Sequence, residues 1–178
     1  GQIMPDGPTP LILSLERMNK IREVFPSENV LIAEAGATLS AIQQSAEVLD
    51  RLFPLSLASE GSAQIGGILS TNAGGINVLR YGNARDLCIG LEAVLPDGKV
   101  RHGLSRLRKD NTGYDLRNLL IGSEGTLGII TAAALKLFSR PQKMTTVFLK
   151  VTSPHAALDL LSMLRDHVGE VISAYELI

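Results

Sequence analysis

The chain has 178 residues and a formal net charge of −1, so its charge balance offers no general attraction to nucleic acid or to an acidic membrane. Aromatic residues make up 4 % of the chain and tryptophan is absent, which leaves little material for stacking on single strands. Cys88 is the one cysteine, so an internal disulfide and a thiolate zinc site are excluded, and no apolar stretch is long enough to cross a bilayer.

Strand and helix patterns alternate in the first part of the chain. Short apolar runs bounded by turn-forming residues predict strands over residues 11–15 and 30–35. Apolar residues at helical spacing then predict a helix over residues 39–52, with Thr38 and Ser40 as candidate N-caps.

The middle of the chain combines glycine-rich stretches with further strand patterns. In chain order, the sequence predicts a short helix at 65–72, a strand at 87–95, a tight turn at 96–99, a short helix at 115–120 and an apolar segment at 126–138 that begins as a strand. The buried setting expected for Cys88 fits a small hydrophobe better than a reactive thiol.

A domain boundary is predicted at residues 139–143, which are polar and contain Pro141. Beyond it the pattern predicts strands at 147–151 and 171–177, and a helix that begins at Pro154. We therefore expect one domain over residues 1–138 and the beginning of a second over 139–178.

Both ends of the sequence suggest a piece of a longer protein. Residues 1–7 resemble neither a signal peptide nor an initiating methionine, and the last residues read as a strand with no turn after it.

Seventeen glycines are the most informative feature of the composition. Gly61 and Gly66 have the spacing of a P-loop, but Gly67 stands where the lysine is needed. Gly122, Gly125 and Gly128 lack the spacing of a Rossmann turn and precede a strand. Two readings remain open on spacing alone: simple turns, or close approach of backbone N–H groups to a large anionic ligand.

Several motifs in one order resemble a known family. They are Leu55-Ser56-Leu57-Ala58-Ser59-Glu60-Gly61-Ser62, Ile65-Gly66-Gly67, Thr71-Asn72-Ala73-Gly74-Gly75, Arg80-Tyr81-Gly82, the segment from Lys109 to Leu116, and Gly122-Ser123-Glu124-Gly125-Thr126-Leu127-Gly128-Ile129-Ile130-Thr131. Together they resemble the FAD-binding domain of D-2-hydroxyglutarate dehydrogenases, flavin-type D-lactate dehydrogenases and the D subunit of glycolate oxidase. The resemblance implies the α+β fold of the vanillyl-alcohol-oxidase (PCMH) type, here its second subdomain with a mixed or antiparallel sheet flanked by helices, followed by the start of an α+β substrate domain.

The resemblance also implies a cofactor, non-covalent FAD, and the residues that hold it. Main-chain groups of Gly36, Ala37 and Thr38 would run beside the flavin. The residues implied to wrap its ring, ribityl and pyrophosphate portions are Gly61, Ser62, Gly66, Gly67, Thr71, Asn72, Gly74 and Gly75. Those implied to lie along the adenosine half are Glu124, Gly125, Ile129 and Ile130, with Thr131 as polar company.

The implied activity is oxidation of a D-2-hydroxyacid to a 2-oxoacid, with electrons passed on to a quinone, a cytochrome or an electron-transfer flavoprotein. A cytoplasmic location is expected, or a mitochondrial or membrane-peripheral one. The alternatives are a non-catalytic subunit that keeps the flavin fold, and another reaction on that fold. In this family an upstream loop completes the pyrophosphate site and a downstream domain binds the substrate, so this chain alone is expected to be inactive.

No catalytic or metal-binding residue is assigned. His102, His155 and His167 are interpreted as surface or packing residues, since their spacing does not suit a metal pair. The basic run that contains Arg106 is interpreted as a solvated loop, and Asp115 as the cap of the helix that follows it.

Overall fold

The computed structural model describes residues 11–178, so the start of the chain discussed above, residues 1–7, lies outside it. A five-stranded sheet with the order β1-β2-β6-β4-β5 forms the centre, and every pair of neighbours in it is antiparallel. Its strands are β1 (Ile21–Phe25), β2 (Val30–Glu34), β4 (Cys88–Val94), β5 (Val100–Gly103) and β6 (Ile129–Lys136). A second sheet pairs β3 (Arg51–Leu52) with β7 (Phe138–Ser139).

Six helices accompany these strands in the described part of the chain. They are α1 (Leu39–Glu47), α2 (Ile65–Ser70), α3 (Val78–Tyr81), α4 (Ala84–Leu87), α5 (Leu116–Leu120) and α6 (Pro154–Val168). The α+β class with an antiparallel sheet flanked by helices is therefore confirmed. No helix within residues 11–178 has both the length and the apolar character that crossing a membrane would require.

One face of the sheet forms the core. Alternate strand residues point into it, as the two-residue period of a strand requires. The buried members from the three central strands are Leu31, Ala33, Leu91, Ala93, Ala133 and Leu135. Helices α1 and α2 supply Leu39, Ile42, Ile65 and Leu69 to the same cluster.

Helix α1 begins as predicted and ends early. The Thr38 hydroxyl accepts a hydrogen bond from the Ala41 amide at 3.2 Å, so Thr38 is the N-cap and Ser40 lies inside the helix. The helix ends at Glu47 instead of continuing to residue 52, because Asp50 adopts a left-handed conformation with φ 55° and the next two residues pair as β3.

The predicted strand at residues 11–15 is wrong, and the sequence analysis missed β1. Residues 11–13 are exposed and pair with no strand, whereas Ile21–Phe25 pairs with β2 across a turn in which Asn29 has φ 55°. The run Ile-Arg-Glu-Val-Phe is more polar than the first segment. A charged residue can lie in this strand because the Arg22 side chain forms ion pairs with Glu34 on β2 and Glu92 on β4.

A segment over residues 104–107 crosses the second face of the sheet. The backbone of Ser105 lies where a Cβ on Gly90 would be, so only glycine allows this approach. Arg106 then binds Glu28 at 3.0 Å and stacks over the ring of Phe25 at 3.7 Å. Arg106 thus lies in a partly exposed loop, as interpreted, but its guanidinium is paired with Glu28 and Phe25.

The segment after residue 140 matches the predictions in its helix only. Helix α6 begins at Pro154, and its N-cap Ser153 accepts from the Ala156 amide at 3.1 Å. Residues 147–151 and 171–177 are not strands, because neither finds a neighbouring strand in the described residues to take up its backbone hydrogen bonds. Phe148 is 86 % exposed as a result.

A charge network ties β1, β2, β4 and β6 together. Arg22 contacts Glu34 at 3.3 Å and Glu92 at 3.2 Å, and the Thr131 hydroxyl donates to Glu92 at 2.9 Å. Burial by itself raises the pKa of Glu92, but the hydrogen bonds from Arg22 and Thr131 and the charge of Arg22 outweigh it, so the pKa of Glu92 is lowered.

We expect Glu92→Gln to destabilise the protein by about 1–2 kcal/mol at neutral pH, because it removes a charge-assisted hydrogen bond from a half-buried network. A lowered folded-state pKa stabilises the protein above the unfolded value of about 4.3, and this contribution is lost as the pH falls through the folded-state pKa. Urea unfolding at neutral and acid pH measures both effects. The exposed Glu23 on the same strand as Arg22 provides the control, Glu23→Gln. An equal cost of Glu92→Gln at both pH values would contradict this account.

Candidate functional site

Helix α2 is the element around which the predicted site residues gather. Its first two amides lack partners inside the helix, as at any helix start. Ile65 donates to the Ala37 carbonyl at 2.9 Å and Gly66 donates to the Ala35 carbonyl at 2.8 Å. The turn after β2 is therefore held against the beginning of α2.

The end of α2 holds the second glycine-rich stretch. The Gly122 amide donates to the Leu69 carbonyl at 3.0 Å, and the Glu124 amide donates to the Ser70 carbonyl at 2.9 Å. Residues 35–38, 65–75 and 122–125, which are far apart in the sequence, thus meet along one six-residue helix.

Three of the predicted site glycines have a reason inside the fold. A Cβ on Gly36 would overlap the Leu15 carbonyl, one on Gly66 would lie 2.8 Å from the Ala35 Cβ, and one on Gly75 would overlap the Ser56 carbonyl. Close backbone packing accounts for these glycines without any ligand.

Two others have no such reason. Among residues 11–178, no atom outside the adjoining residues and the helix's own backbone lies within 4 Å of the position that a Cβ would take on Gly61 or Gly67, and neither glycine has a positive φ. Both are exposed, and Gly67 lies inside α2, where glycine is the least favourable residue apart from proline. A glycine that the fold does not require is expected where a ligand approaches the backbone.

Gly74 and Gly125 are intermediate cases. A Cβ on Gly74 would meet only the Val78 Cγ2, at 3.4 Å. Gly125 also faces open space, but its φ of 79° favours glycine on backbone grounds alone.

The main-chain groups at residues 36–38 are largely used inside the protein. The Gly36 amide donates to the Met18 carbonyl at 2.7 Å, and the Ala37 amide donates to the Glu34 carbonyl at 3.0 Å. The Thr38 side chain caps α1. The amides of Gly36 and Ala37 are therefore already hydrogen-bonded inside the protein, and the turn packs against the start of α2.

Most polar and apolar side chains predicted for the site also have partners. Thr71 donates to the Gly67 carbonyl at 2.9 Å, and the Ser62 hydroxyl contacts the Ser59 carbonyl at 3.5 Å. The Asn72 side-chain oxygen accepts from the Arg85 amide at 3.0 Å. Ile129 is half-buried and Ile130 is 3 % exposed in the core.

Asp115 is the cap of α5, as predicted. Its carboxylate caps α5 by accepting from the Asn118 amide at 3.0 Å, and it binds Arg117 at 2.8 Å. Burial raises the pKa of Asp115, but the Asn118 amide and Arg117 outweigh this and lower it. Arg85, which belongs to none of the predicted motifs, contacts Asn72 and the carbonyls of Asn118 and Ile121 and is found through these contacts alone.

In this α+β domain, Gly67 within α2 and Gly61 shortly before it leave backbone open that the packing of the fold does not require to be glycine. Such an arrangement fits a domain that binds a large flat cofactor through its backbone. The chain belongs to the FAD-binding domain family, which matches residues 5–103. FAD is thus the cofactor of this domain, as predicted. The open positions at Gly61 and Gly67 fit such a group, because backbone without Cβ atoms can approach a flavin or its pyrophosphate closely.

The relatives and structural neighbours agree with this family. A D-2-hydroxyglutarate–pyruvate transhydrogenase of Saccharomyces cerevisiae is 39 % identical over 93 % of this chain and 34 % of its own length. The mitochondrial D-2-hydroxyglutarate dehydrogenase of Bos taurus is 44 % identical over 97 % of this chain and 32 % of its own. A putative mitochondrial D-lactate dehydrogenase of Schizosaccharomyces pombe is 40 % identical over 94 % of this chain and 32 % of its own. The chain therefore spans about a third of the length of these relatives.

Among solved structures, an alkyldihydroxyacetonephosphate synthase is similar with a TM-score of 0.63 and 26 % identity, over 72 % of this chain and 23 % of that one. A second structure of that name has a TM-score of 0.62 and 28 % identity, over 72 % of this chain and 24 % of that one. The predicted fold of the flavin domain is confirmed by this likeness.

Proposed function

We propose that this chain is the FAD-binding part of an oxidoreductase that converts a D-2-hydroxyacid into the corresponding 2-oxoacid. The observation that carries the proposal is the identity of 39–44 % with proteins named for D-2-hydroxyglutarate and D-lactate, over nearly the whole chain. Bound FAD would supply the hydride acceptor, at flavin N5. The small hydroxyacid would be bound by parts of the protein outside this chain.

The part of this chain would be to hold the cofactor and shape its surroundings. We assign the closest backbone approach to Gly61 and Gly67, which the fold itself leaves open. Gly74 and Gly125 would line the same face, and residues 36–38 would support it from behind through α2. The rigid attachment of these loops to one helix favours a preorganised site.

Two other functions are compatible with the family. A different reaction on the same fold is represented by the alkyldihydroxyacetonephosphate synthase, but its identity of 26 % is well below that of the dehydrogenases. A non-catalytic subunit that keeps the flavin fold is the other alternative. The substrate domain of the full-length protein would separate this alternative from the dehydrogenase.

Partners, location and domain division follow from the same proposal. The electron acceptor would be a quinone, a cytochrome or an electron-transfer flavoprotein. A mitochondrial location, which the names of the relatives support, applies if the source is eukaryotic. We place the boundary between the flavin domain and the next domain at residues 139–143, after β7.

The proposal predicts that full-length protein purified with FAD is bleached anaerobically by a D-2-hydroxyacid and not by its L-enantiomer. D-2-hydroxyglutarate and D-lactate are compared with their L-enantiomers as controls, achiral glycolate is tested alongside them, and the visible absorbance of the flavin is followed. Full reduction by dithionite confirms that the flavin is competent. A competent flavin that no D-2-hydroxyacid reduces would overturn the dehydrogenase and favour one of the two alternatives.

A further inference from the structure

Arg85, the second residue of α4, contacts both glycine-rich stretches of the site. Its backbone amide donates to the side-chain oxygen of Asn72 at 3.0 Å. Asn72 itself has φ 49°, a left-handed conformation that reverses the chain after α2. The neighbouring Ala84 amide donates to the Ala73 carbonyl at 2.9 Å, so the start of α4 holds the turn at residues 72–75 from one side.

The guanidinium of Arg85 holds the other stretch. It donates from Nη1 to the Asn118 carbonyl and from Nη2 to the Ile121 carbonyl, the latter at 2.7 Å. These carbonyls lie at the end of α5, where a helix leaves its oxygens without internal partners. A Cβ on Gly122 would lie 3.0 Å from Nη2, so the loop packs directly against the guanidinium.

The positive charge of Arg85 interacts with these backbone carbonyl oxygens. Within residues 11–178 no carboxylate lies within ion-pair distance of it, and the side chain is half-buried. The planar fork of the guanidinium suits two carbonyls at once, which an ammonium cannot span. Removing the side chain would take this donor away from both carbonyls, so the loop would lose its link to α4, while the backbone amide of residue 85 could still hold Asn72.

We infer that Arg85 is a positioning residue for FAD, which fixes the spacing between the turn at residues 72–75 and the loop at residues 122–125. This inference rests on the proposed assignment of these segments to the cofactor. Its physical basis is that cofactor binding through backbone needs both loops at a defined distance from each other. Geometric errors of this kind reduce binding without requiring the fold to be lost.

The test compares Arg85→Ala and Arg85→Lys in the full-length protein. Measured quantities are the FAD dissociation constant of the apoprotein, its melting temperature, and the fine structure of the visible flavin band in the reconstituted protein. We expect Arg85→Ala to weaken FAD binding by about tenfold or more and to alter the flavin band. Arg85→Lys should restore part of the affinity, since it can reach one carbonyl, and it decides the matter if the alanine variant fails to fold.

Arg51→Ala is the matched control. Arg51 is also half-buried and donates to a backbone carbonyl, that of Pro26 at 3.2 Å, but this contact lies at the turn between β1 and β2, away from both glycine-rich stretches. It should lower the melting temperature and leave the affinity and the flavin band unchanged. Native affinity in the Arg85 variants, or equal losses in Arg85→Ala and Arg51→Ala, would overturn the inference. Gly67→Leu distinguishes the assignment of the cofactor site from the role of Arg85. If this variant loses FAD while the Arg85 variants keep it, the site assignment holds and the role of Arg85 is wrong. If Gly67→Leu also keeps FAD, the site assignment itself is wrong.

Discussion

Replacing Gly67 with leucine should reduce the affinity for FAD at least about a hundredfold, which is roughly 2.7 kcal/mol, and leave the apoprotein at least as stable as the parent. Gly67 is exposed within α2, and a Cβ there would meet no atom of the described residues beyond the helix's own backbone within 4 Å. Because glycine destabilises a helix by roughly 0.5–1 kcal/mol, leucine improves the apoprotein while its side chain fills the space proposed for the cofactor. Bound FAD per chain and the melting temperature of the apoprotein measure the two effects.

The adjacent glycine provides the control for this experiment. In Gly66→Ala the new Cβ would lie 2.8 Å from the Ala35 Cβ and 3.1 Å from its carbonyl oxygen, so this variant should be less stable. We therefore expect Gly66→Ala and Gly67→Leu to change the stability of the apoprotein in opposite directions. Full flavin content in Gly67→Leu would mean that this glycine has no role in cofactor binding.

The largest effect on stability is expected for Gly75→Ala, at about 3 kcal/mol or more. Two causes add together at this position. Gly75 has φ 98°, which a residue with a Cβ rarely adopts, and the Cβ would overlap the carbonyl oxygen of Ser56. Urea unfolding of the apoprotein measures the cost without interference from bound FAD.

Gly98→Ala isolates the first of these causes. Gly98 has φ 80° in the turn between β4 and β5, and beyond its chain neighbours no atom of residues 11–178 lies within 4 Å of the position of a Cβ there. It should cost about 1–2 kcal/mol from the backbone conformation alone. Equal losses in the free energy of unfolding for Gly75→Ala and Gly98→Ala would show that the backbone at Ser56 moves away from the new Cβ and that the close contact is unimportant.

Strand and helix patterns predicted the fold well where local and tertiary preferences agree. The apolar run over β2, the apolar spacing of α1, and Ser153 followed by Pro154 at the start of α6 all correspond to elements of the structure. Residues 11–15 and β1 show where the pattern fails. The more apolar segment, residues 11–15, is largely exposed. The more charged β1 is a strand because Arg22 forms ion pairs with Glu34 and Glu92. Such long-range partners cannot be read from a local window.

The candidate site was predictable as a set of segments and not as individual roles. The order of the motifs indicated the cofactor, and the family match agrees. The sequence could not separate Gly66, where a Cβ would meet Ala35, from Gly67, where a Cβ would meet no packing neighbour in the described part of the chain, because the distinction depends on what packs against each backbone. Arg85 stands outside every motif, and its role depends on carbonyls more than thirty positions away.

Helix α2 holds one loop at its start and another at its end, although it has six residues. A helix this short has little stability of its own, so its contacts and its folding depend on each other. The amide protons of Gly66, Gly122 and Glu124 should therefore exchange with solvent through one shared opening event, with similar free energies, despite their distance in sequence. Any ligand that binds both loops would slow the exchange of all three together.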